Sequence, residues 1–205
     1  EMKVILCGAN GFTGRIICKE FLRCGINFLA ILRPGNDSIW MKENGISFRY
    51  ADLNNYRDLL KVINGANILV SVASIGFGNV PSILMACKKA NIERVIFTST
   101  TAIFTKLNAS SKKIRKLAEK QIKCSDLNWT IIRPTMIYGT PDDRNMIRLI
   151  KWIDKFPILP VVGDGNNLQQ PIFVKDVARS IILILNNENT FMKSFNIAGA
   201  KSITY

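Results

Sequence analysis

The stretch VILCGANGFTG, residues 4–14, determines how the rest of the chain is interpreted. A run of apolar residues ends at Cys7, and glycines follow at positions 8, 11 and 14. Residues 2–7 have the continuous apolar character of a buried strand, and residues 12–24 carry apolar side chains at helical spacing. A glycine-rich turn between a strand and a helix is the local structure that a dinucleotide site requires. The stretch therefore predicts a βα unit with a nucleotide site at its turn.

Strand and helix patterns alternate over the first 135 residues. Further strands are expected at 27–32, 46–50, 67–73, 94–99 and 129–133, with helices at 38–44, 55–63, 80–90 and 110–124 between them. Strands that are apolar throughout and alternate with helices are typical of a parallel sheet covered on both faces. We therefore expect an α/β fold with a doubly wound parallel sheet.

The regular alternation of strand and helix patterns ends after residue 135. A helix is expected at 144–153, then a strand at 171–174, a helix at 175–186 and a strand at 194–198. We expect residues 1–135 to form a dinucleotide-binding core and residues 136–205 to add a substrate lobe and late sheet elements, within one compact unit. Because the chain ends at SITY without a helix stop signal, we also expect this second part to be truncated.

The chain has no histidine and five cysteines. The absence of histidine excludes Ser-His-Asp and Cys-His nucleophiles, HExxH zinc sites and any histidine base. The cysteines are odd in number and none has CxxC spacing, so we expect no metal site and no disulfide framework. A reducing, cytoplasmic location is the default for such a chain. No apolar run approaches the ~20 residues that a membrane span needs, so no membrane partner is expected.

The formal net charge is +13, which raises the question of a nucleic-acid partner. The densest basic stretch, residues 106–123, holds seven Lys or Arg and one acid, Glu119. Basic residues are otherwise spread along the chain, and no nucleic-acid-binding motif is present. The pattern favours a solvated helix face or attraction of an anionic ligand over a polyanion partner.

Each glycine of the first turn has a separate expected role. Gly8 permits the tight turn, Gly11 lets the backbone approach a pyrophosphate, and Gly14 allows the helix to pack closely on the strand. The helix N-terminus offers free N–H groups to phosphates.

The end of the second strand indicates which dinucleotide binds. An acidic residue there would hold the ribose 2′-hydroxyl of NAD, but this chain has Arg33, whose guanidinium suits a 2′-phosphate. Arg15 is a second candidate for the same phosphate. The sequence therefore favours NADP, with NAD possible.

Six segments carry a resemblance to a known family. GANGFTG (8–14), ADLNN (51–55), RVIFTST (94–100), WTIIRPTMIYG (129–139), GDGNNLQQPIFVKDVA (163–178) and FNIAGA (195–200) occur in this order. The set resembles extended and atypical short-chain dehydrogenases/reductases, including the NAD-dependent epimerase/dehydratase and NmrA-like groups. The resemblance covers nearly the whole chain and implies a Rossmann-type fold.

The resemblance also implies roles for residues at the strand ends. Asp52 and Leu53 would lie by the adenine, and Pro134 would close the nicotinamide side together with Arg133. Thr100 matches the family's catalytic Ser/Thr. The remaining cofactor-binding candidates are Asn10, Phe12 and Thr13 in the first loop, Val72, Ala73 and Ser74 after the fourth strand, and Thr98 and Ser99 ending the fifth.

The chain departs from the family at its proton-transfer pair. Active members carry Tyr-x-x-x-Lys on the helix after the fifth strand, where this chain has Ser111 and Arg115 in the corresponding register. A serine hydroxyl is a far weaker acid than an activated phenol. A nearby lysine, with Lys113 as the candidate and Lys112 or Lys116 as alternatives, is left to hold the ribose or to act as an acid.

Two functional hypotheses follow. The first is an NADP-dependent oxidoreductase, or a sugar-nucleotide epimerase/dehydratase relative, acting on a small molecule such as a nucleotide sugar or another carbonyl compound. The alternative is a non-catalytic, NADP-binding regulatory protein of NmrA-like type, which would explain the lost pair. We expect a monomer or a homodimer.

Overall fold

The structure is a computed structural model and describes residues 2–105, 110–143, 146–156, 158 and 166–204. The first two residues of the predicted helix 144–153 lie outside the described residues. The same holds for the start of the basic stretch at residues 106–109 and for most of the GDGNN segment.

Nine strands and seven helices are found in the part of the chain that the structure describes. The strands are β1 Val4–Cys7, β2 Phe28–Leu32, β3 Phe48–Tyr50, β4 Ile68–Ser71, β5 Arg94–Thr98, β6 Asn128–Pro134, β7 Ile137–Tyr138, β8 Ile172–Phe173 and β9 Lys193–Ile197. The helices are α1 Phe12–Arg23, α2 Ile39–Glu43, α3 Tyr56–Ile63, α4 Val80–Lys89, α5 Ser110–Lys123, α6 Met146–Lys155 and α7 Val174–Ile184. Short 3-10 helices cover Ile75–Phe77, Thr101–Phe104 and Glu188–Thr190.

Seven of the strands form one sheet in the order β3-β2-β1-β4-β5-β6-β9, and each neighbouring pair is parallel. The chain runs outward from β1 to β3, crosses back to β4 and continues in the other direction. This reversal beside β1 is the topological switch point of a doubly wound sheet, so the predicted Rossmann-type α/β fold is confirmed. The segment after residue 135 contributes β9, which pairs with β6, and β8, which pairs with β7 in a second sheet of two strands.

Two apolar cores lie on opposite faces of the sheet. On one face α3, α4 and α5 cover the strands, with Leu59, Ile83 and Ile122 among the buried residues. On the other face α1, α2 and α7 do the same, with Phe21 and Ile181 among them. Strand residues alternate between the two cores, which is why the strands read as continuously apolar.

A buried arginine ties the late elements to the sheet. Arg94 begins β5 and donates to the carbonyl oxygens of Ile184 and Leu185 at the end of α7, at 2.7 and 3.2 Å. It also donates to the hydroxyls of Thr130 and Thr190, at 2.7 and 3.1 Å. Burial lowers the pKa of this guanidinium to about 10. The helix C-terminus offers partial negative charge, which compensates in part for the buried cation.

Within the described ranges, no helix combines the length and the apolar character needed to cross a membrane.

Candidate functional site

A cleft of about 1020 Å³ opens at the carboxyl ends of the parallel strands, beside the switch point. Ligands of such sheets bind at this edge, and the volume is at the upper end of the ~300–1,000 Å³ range of ligand pockets. Fifteen of the residues predicted from the sequence line it: Gly8, Asn10, Gly11, Phe12, Thr13, Gly14, Arg33, Asp52, Leu53, Val72, Ala73, Ser74, Ser99, Thr100 and Pro134.

The glycine loop leaves no room for side chains on its inner side. Gly8 has a φ of +84°, and a Cβ there would lie 2.5 Å from the backbone nitrogen of Ala73. A Cβ on Gly14 would lie 2.1 Å from the carbonyl oxygen of Gly8. A Cβ on Gly11 would meet that same oxygen at 3.4 Å and would otherwise face open space.

This loop geometry fits a bound pyrophosphate. Gly11 caps α1 without a side-chain hydrogen bond, so the first N–H groups of the helix are available to a phosphate at the cleft. The open side of Gly11 is where a ligand could approach the backbone.

The two arginines predicted for a 2′-phosphate lie in different settings. Arg33 follows β2, is exposed and lines the cleft. Arg15 turns away, since its Nη2 and Nε donate to Oδ1 of Asn10 at 2.8 and 3.2 Å. The Arg15 guanidinium also lies 5.0 Å from the ring centre of Trp40. Arg33 is therefore the arginine presented to the cleft, and Arg15 holds Asn10 in place.

Asp52 stays free of helix capping. Asn55 caps α3 by accepting from the backbone N–H groups of Arg57 and Asp58, at 3.1 and 3.4 Å. Oδ1 of Asp52 accepts from the backbone N–H of Asn54 at 2.9 Å, which turns the chain at the cleft wall beside Leu53. Asp52 thus shapes the loop that follows β3.

The end of β5 delivers three hydroxyl residues, of which two line the cleft. Oγ1 of Thr100 accepts a hydrogen bond from the backbone N–H of Ala102 at 3.2 Å. The O–H of Thr100 can therefore donate to another acceptor. Ser99 is 8% exposed and lies beside it. Thr98 is not among the cleft-lining residues, and its hydroxyl is buried without a hydrogen-bond partner among the described residues.

The two residues that the resemblance aligns with the Tyr-x-x-x-Lys pair are a serine and an arginine that form a hydrogen bond. Nη1 of Arg115 donates to Oγ of Ser111 at 3.1 Å. Arg115 packs against the 3-10 helix at Ile75–Phe77. Its Nε lies 3.2 Å from the position that a Cβ on Gly76 would take, and Oγ of Ser74 lies 3.3 Å from the same position. Among the described residues that line the cleft, none is a tyrosine.

The predicted lysine lies away from the cleft. Lys113 is exposed on α5 and is not among the cleft-lining residues. The ammonium of Lys112 instead donates to the backbone carbonyl of Thr105, a residue of the cleft wall. Helix geometry explains the difference, because adjacent residues point about 100° apart.

A buried ion pair joins Arg133, near the end of β6, to Glu119 of α5. Nε and Nη2 of Arg133 donate to the two carboxylate oxygens of Glu119, at 2.9 and 2.6 Å. The guanidinium lies 5.3 Å from the ring centre of Phe104. Burial alone would raise the pKa of Glu119, but the hydrogen bonds and charge of Arg133 outweigh it and hold that pKa below its usual range. The pair links α5 to Pro134 and to the loop that carries Thr100.

Sequence reasoning missed twelve cleft-lining residues: Ile31, Leu32, Asn36, Asn54, Phe77, Asn79, Thr101, Ala102, Thr105, Thr135, Met136 and Ile137. Several adjoin predicted residues, so a wider window after each strand would have included them. Asn79 carried no such signal, although its Oδ1 is buried without a hydrogen-bond partner among the described residues. Such an atom is available to a ligand that donates a hydrogen bond.

Comparison with known proteins gives a family match over most of the chain. A family profile described as NAD(P)H-binding matches residues 8–188. The chain is 26% identical over 213 residues to NADH dehydrogenase (ubiquinone) 1 alpha subcomplex subunit 9, mitochondrial, of Rattus norvegicus, covering 94% of this chain and 55% of that protein. It is 30% identical over 236 residues to chloroplast stem-loop binding protein of 41 kDa b, chloroplastic, of Arabidopsis thaliana, covering 100% of this chain and 61% of that protein. The chain thus spans little more than half the length of these two relatives.

Solved structures share the fold. The dTDP-glucose 4,6-dehydratase of Bacillus anthracis, in complex with NAD, superposes with a TM-score of 0.81 at 17% identity, covering 100% of this chain and 77% of that one. At this identity the likeness concerns the fold alone.

Proposed function

We propose, because this chain belongs to the NAD(P)H-binding family, that it binds NADP in the cleft and positions it for hydride transfer with a small carbonyl compound. The family match confirms the resemblance to short-chain dehydrogenases/reductases of the epimerase/dehydratase type. An NAD(P) cofactor follows from family membership. We further propose a preference for NADP, the type of reaction and the roles of single residues.

The glycine loop and the strand ends support a dinucleotide lying across the switch point. The pyrophosphate would meet Gly11 and the N-terminus of α1, the adenine would lie by Asp52 and Leu53, and the nicotinamide would lie towards Thr100. The open side of Gly11 and Oδ1 of Asn79, which has no hydrogen-bond partner among the described residues, suit a ligand with both acceptor and donor groups.

The single observation that carries the NADP preference is the position of Arg33. It is exposed at the cleft mouth, where an acidic residue would be needed for a ribose 2′-hydroxyl. Its guanidinium has no ion-pair partner among the residues that the structure describes, so a 2′-phosphate would supply one.

The chemistry on this chain's side is modest. A bound nicotinamide, in its reduced form, would supply the hydride to the carbonyl carbon. The hydroxyl of Thr100 would donate to a substrate carbonyl oxygen, and Lys112, whose ammonium donates to the backbone carbonyl of Thr105 in the cleft wall, is the lysine that we propose for the ribose in place of Lys113. Nucleotide sugars and other small carbonyl compounds are the substrate classes that we propose. The cytoplasmic location stays a prediction, and both relatives above carry organelle names.

A second candidate function rests on the Ser111–Arg115 pair. A guanidinium is not deprotonated in proteins near neutral pH, and a serine hydroxyl is a poor acid, so neither replaces the tyrosine as a proton donor. This pair favours a regulatory protein that binds NADP without turning it over. Steady oxidation of NADPH with any carbonyl substrate would remove this alternative.

The proposal is tested by calorimetric titration with NADP and NAD. We expect Arg33→Ala to weaken NADP binding by about tenfold, the loss of one charge-assisted hydrogen bond, and to leave NAD binding unchanged. Arg179→Ala is the control, because Arg179 is also an exposed arginine, on α7 and paired with Asp176. Equal losses for both cofactors, or no binding of either, would overturn the assignment of Arg33.

A further inference from the structure

One face of α5 carries a row of lysines that the cleft does not use. Lys113, Lys116, Lys120 and Lys123 follow one another at intervals of three, four and three residues, the spacing that keeps side chains on one helix face. The first three are exposed, and the Lys123 side chain is 42% exposed. None of the four lines the cleft. We refer to these four residues as the lysine row.

Among the described residues, one acid forms an ion pair with the lysine row. The acid of α5 is Glu119, which is 4% exposed and engaged by Arg133. Of the four lysines in the row, Glu119 forms an ion pair with Lys123 only, with 3.8 Å between Nζ and Oε2. Lys113, Lys116 and Lys120 have no ion-pair partner in the part of the chain that the structure describes. Like charges three and four residues apart destabilise a helix, so the row is unfavourable for the isolated fold and would be relieved by an anionic partner.

We propose that the lysine row binds the phosphate backbone of double-stranded nucleic acid. From Lys113 to Lys123 the helix rises about 15 Å, and a duplex presents one phosphate per ~1.7 Å of its axis over both strands, so the row spans several phosphates. The net charge of +13 attracts such a partner from a distance.

The composition of α5 favours a duplex over unpaired strands. The helix contains no aromatic residue on which bases could stack, whereas proteins that bind single strands use such residues. Contacts from lysines to phosphates fix position without reading sequence. The interaction is therefore independent of base sequence and dependent on salt. The sequence alone favoured a solvated helix face because basic residues are spread along the chain; the fold brings four of them into one row.

The test measures binding of short fluorescein-labelled RNA and DNA duplexes of mixed sequence by fluorescence anisotropy across a series of salt concentrations. The variant Lys113→Gln/Lys116→Gln/Lys120→Gln removes three positions of the row. The control Lys42→Gln/Lys175→Gln/Lys193→Gln removes the same net charge at exposed positions on α2, α7 and β9. Circular dichroism verifies that each variant is folded, so that the outcome does not depend on whether the cofactor assignment is correct.

We expect the row variant to lose affinity by at least about tenfold and the slope of log K against log salt to fall in magnitude by about three, near 0.9 per lost phosphate contact. The control should retain at least half of the wild-type affinity. Equal losses in both variants would mean that net charge alone attracts nucleic acid, and the proposal would be wrong. Failure of the wild type to bind either duplex, or binding to phosphatidylserine vesicles in preference to them, would also overturn it. Preference for one duplex identifies the nucleic acid.

Discussion

Gly11, the N-cap of α1, and Gly14, in the first turn of that helix, are three residues apart, yet a methyl group added at each position meets different surroundings. At Gly14 the new Cβ would lie 2.1 Å from the Gly8 oxygen and 2.7 Å from Cα of Ala9, both backbone atoms. We expect Gly14→Ala to cost about 1–3 kcal/mol as overpacking and to lower Tm by about 3–10 °C. Gly11→Ala, whose nearest contact is 3.4 Å, should leave Tm within about 2 °C and weaken dinucleotide binding instead. Thermal unfolding and calorimetric titration of both variants separate these effects. A Gly11→Ala protein with undiminished affinity would place the pyrophosphate elsewhere.

At the scale of elements, the Glu119–Arg133 pair joins α5 to β6 and is sensitive to acid. The folded pKa of Glu119 is depressed, so its contribution to stability is complete above its unfolded pKa and is lost as pH falls through the folded value. We expect Glu119→Gln to destabilise the fold at neutral pH by about 3–5 kcal/mol, since Arg133 is left buried without a counter-charge. Urea unfolding from pH 7 to pH 3 should therefore show a weaker acid dependence in Glu119→Gln than in the wild type. Asp126→Asn is the control, because its pair with Lys88 is exposed and contributes little. Parallel pH profiles for Glu119→Gln and the wild type would contradict this role.

The same elements show what the sequence could predict. Strands and helices were recognised to within two residues at either end because apolar periodicity and glycine stops are local signals, and the strand-end sites followed from the parallel topology. The direction in which a single side chain points could not be predicted, because it depends on contacts with residues distant in the sequence. Arg15 is turned to Asn10 by a contact with Trp40, and Lys112 rather than Lys113 meets the cleft wall because of how α5 is rotated on the sheet. The two-residue strand β7 was missed, since a pair of residues carries no period.

For the molecule as a whole, the cleft is lined by residues from both halves of the sheet. Its walls come from loops after β1, β2 and β3 on one side of the switch point and after β4, β5 and β6 on the other. A dinucleotide bound across it therefore stabilises the folded state as one unit. At 100 times its Kd, NADP should add about 2.7 kcal/mol, which raises Tm by about 5–10 °C in a domain of this size. Differential scanning fluorimetry with NADP and NAD measures the effect, and Arg33→Ala should reduce the NADP shift while leaving the NAD shift intact. Hydrogen exchange should show protection of the loops after β1, β4 and β5 but not of α6, where no described residue is buried. If NADP and NAD both leave Tm and exchange unchanged, no dinucleotide spans the switch point, and the catalytic and the regulatory proposals fail together.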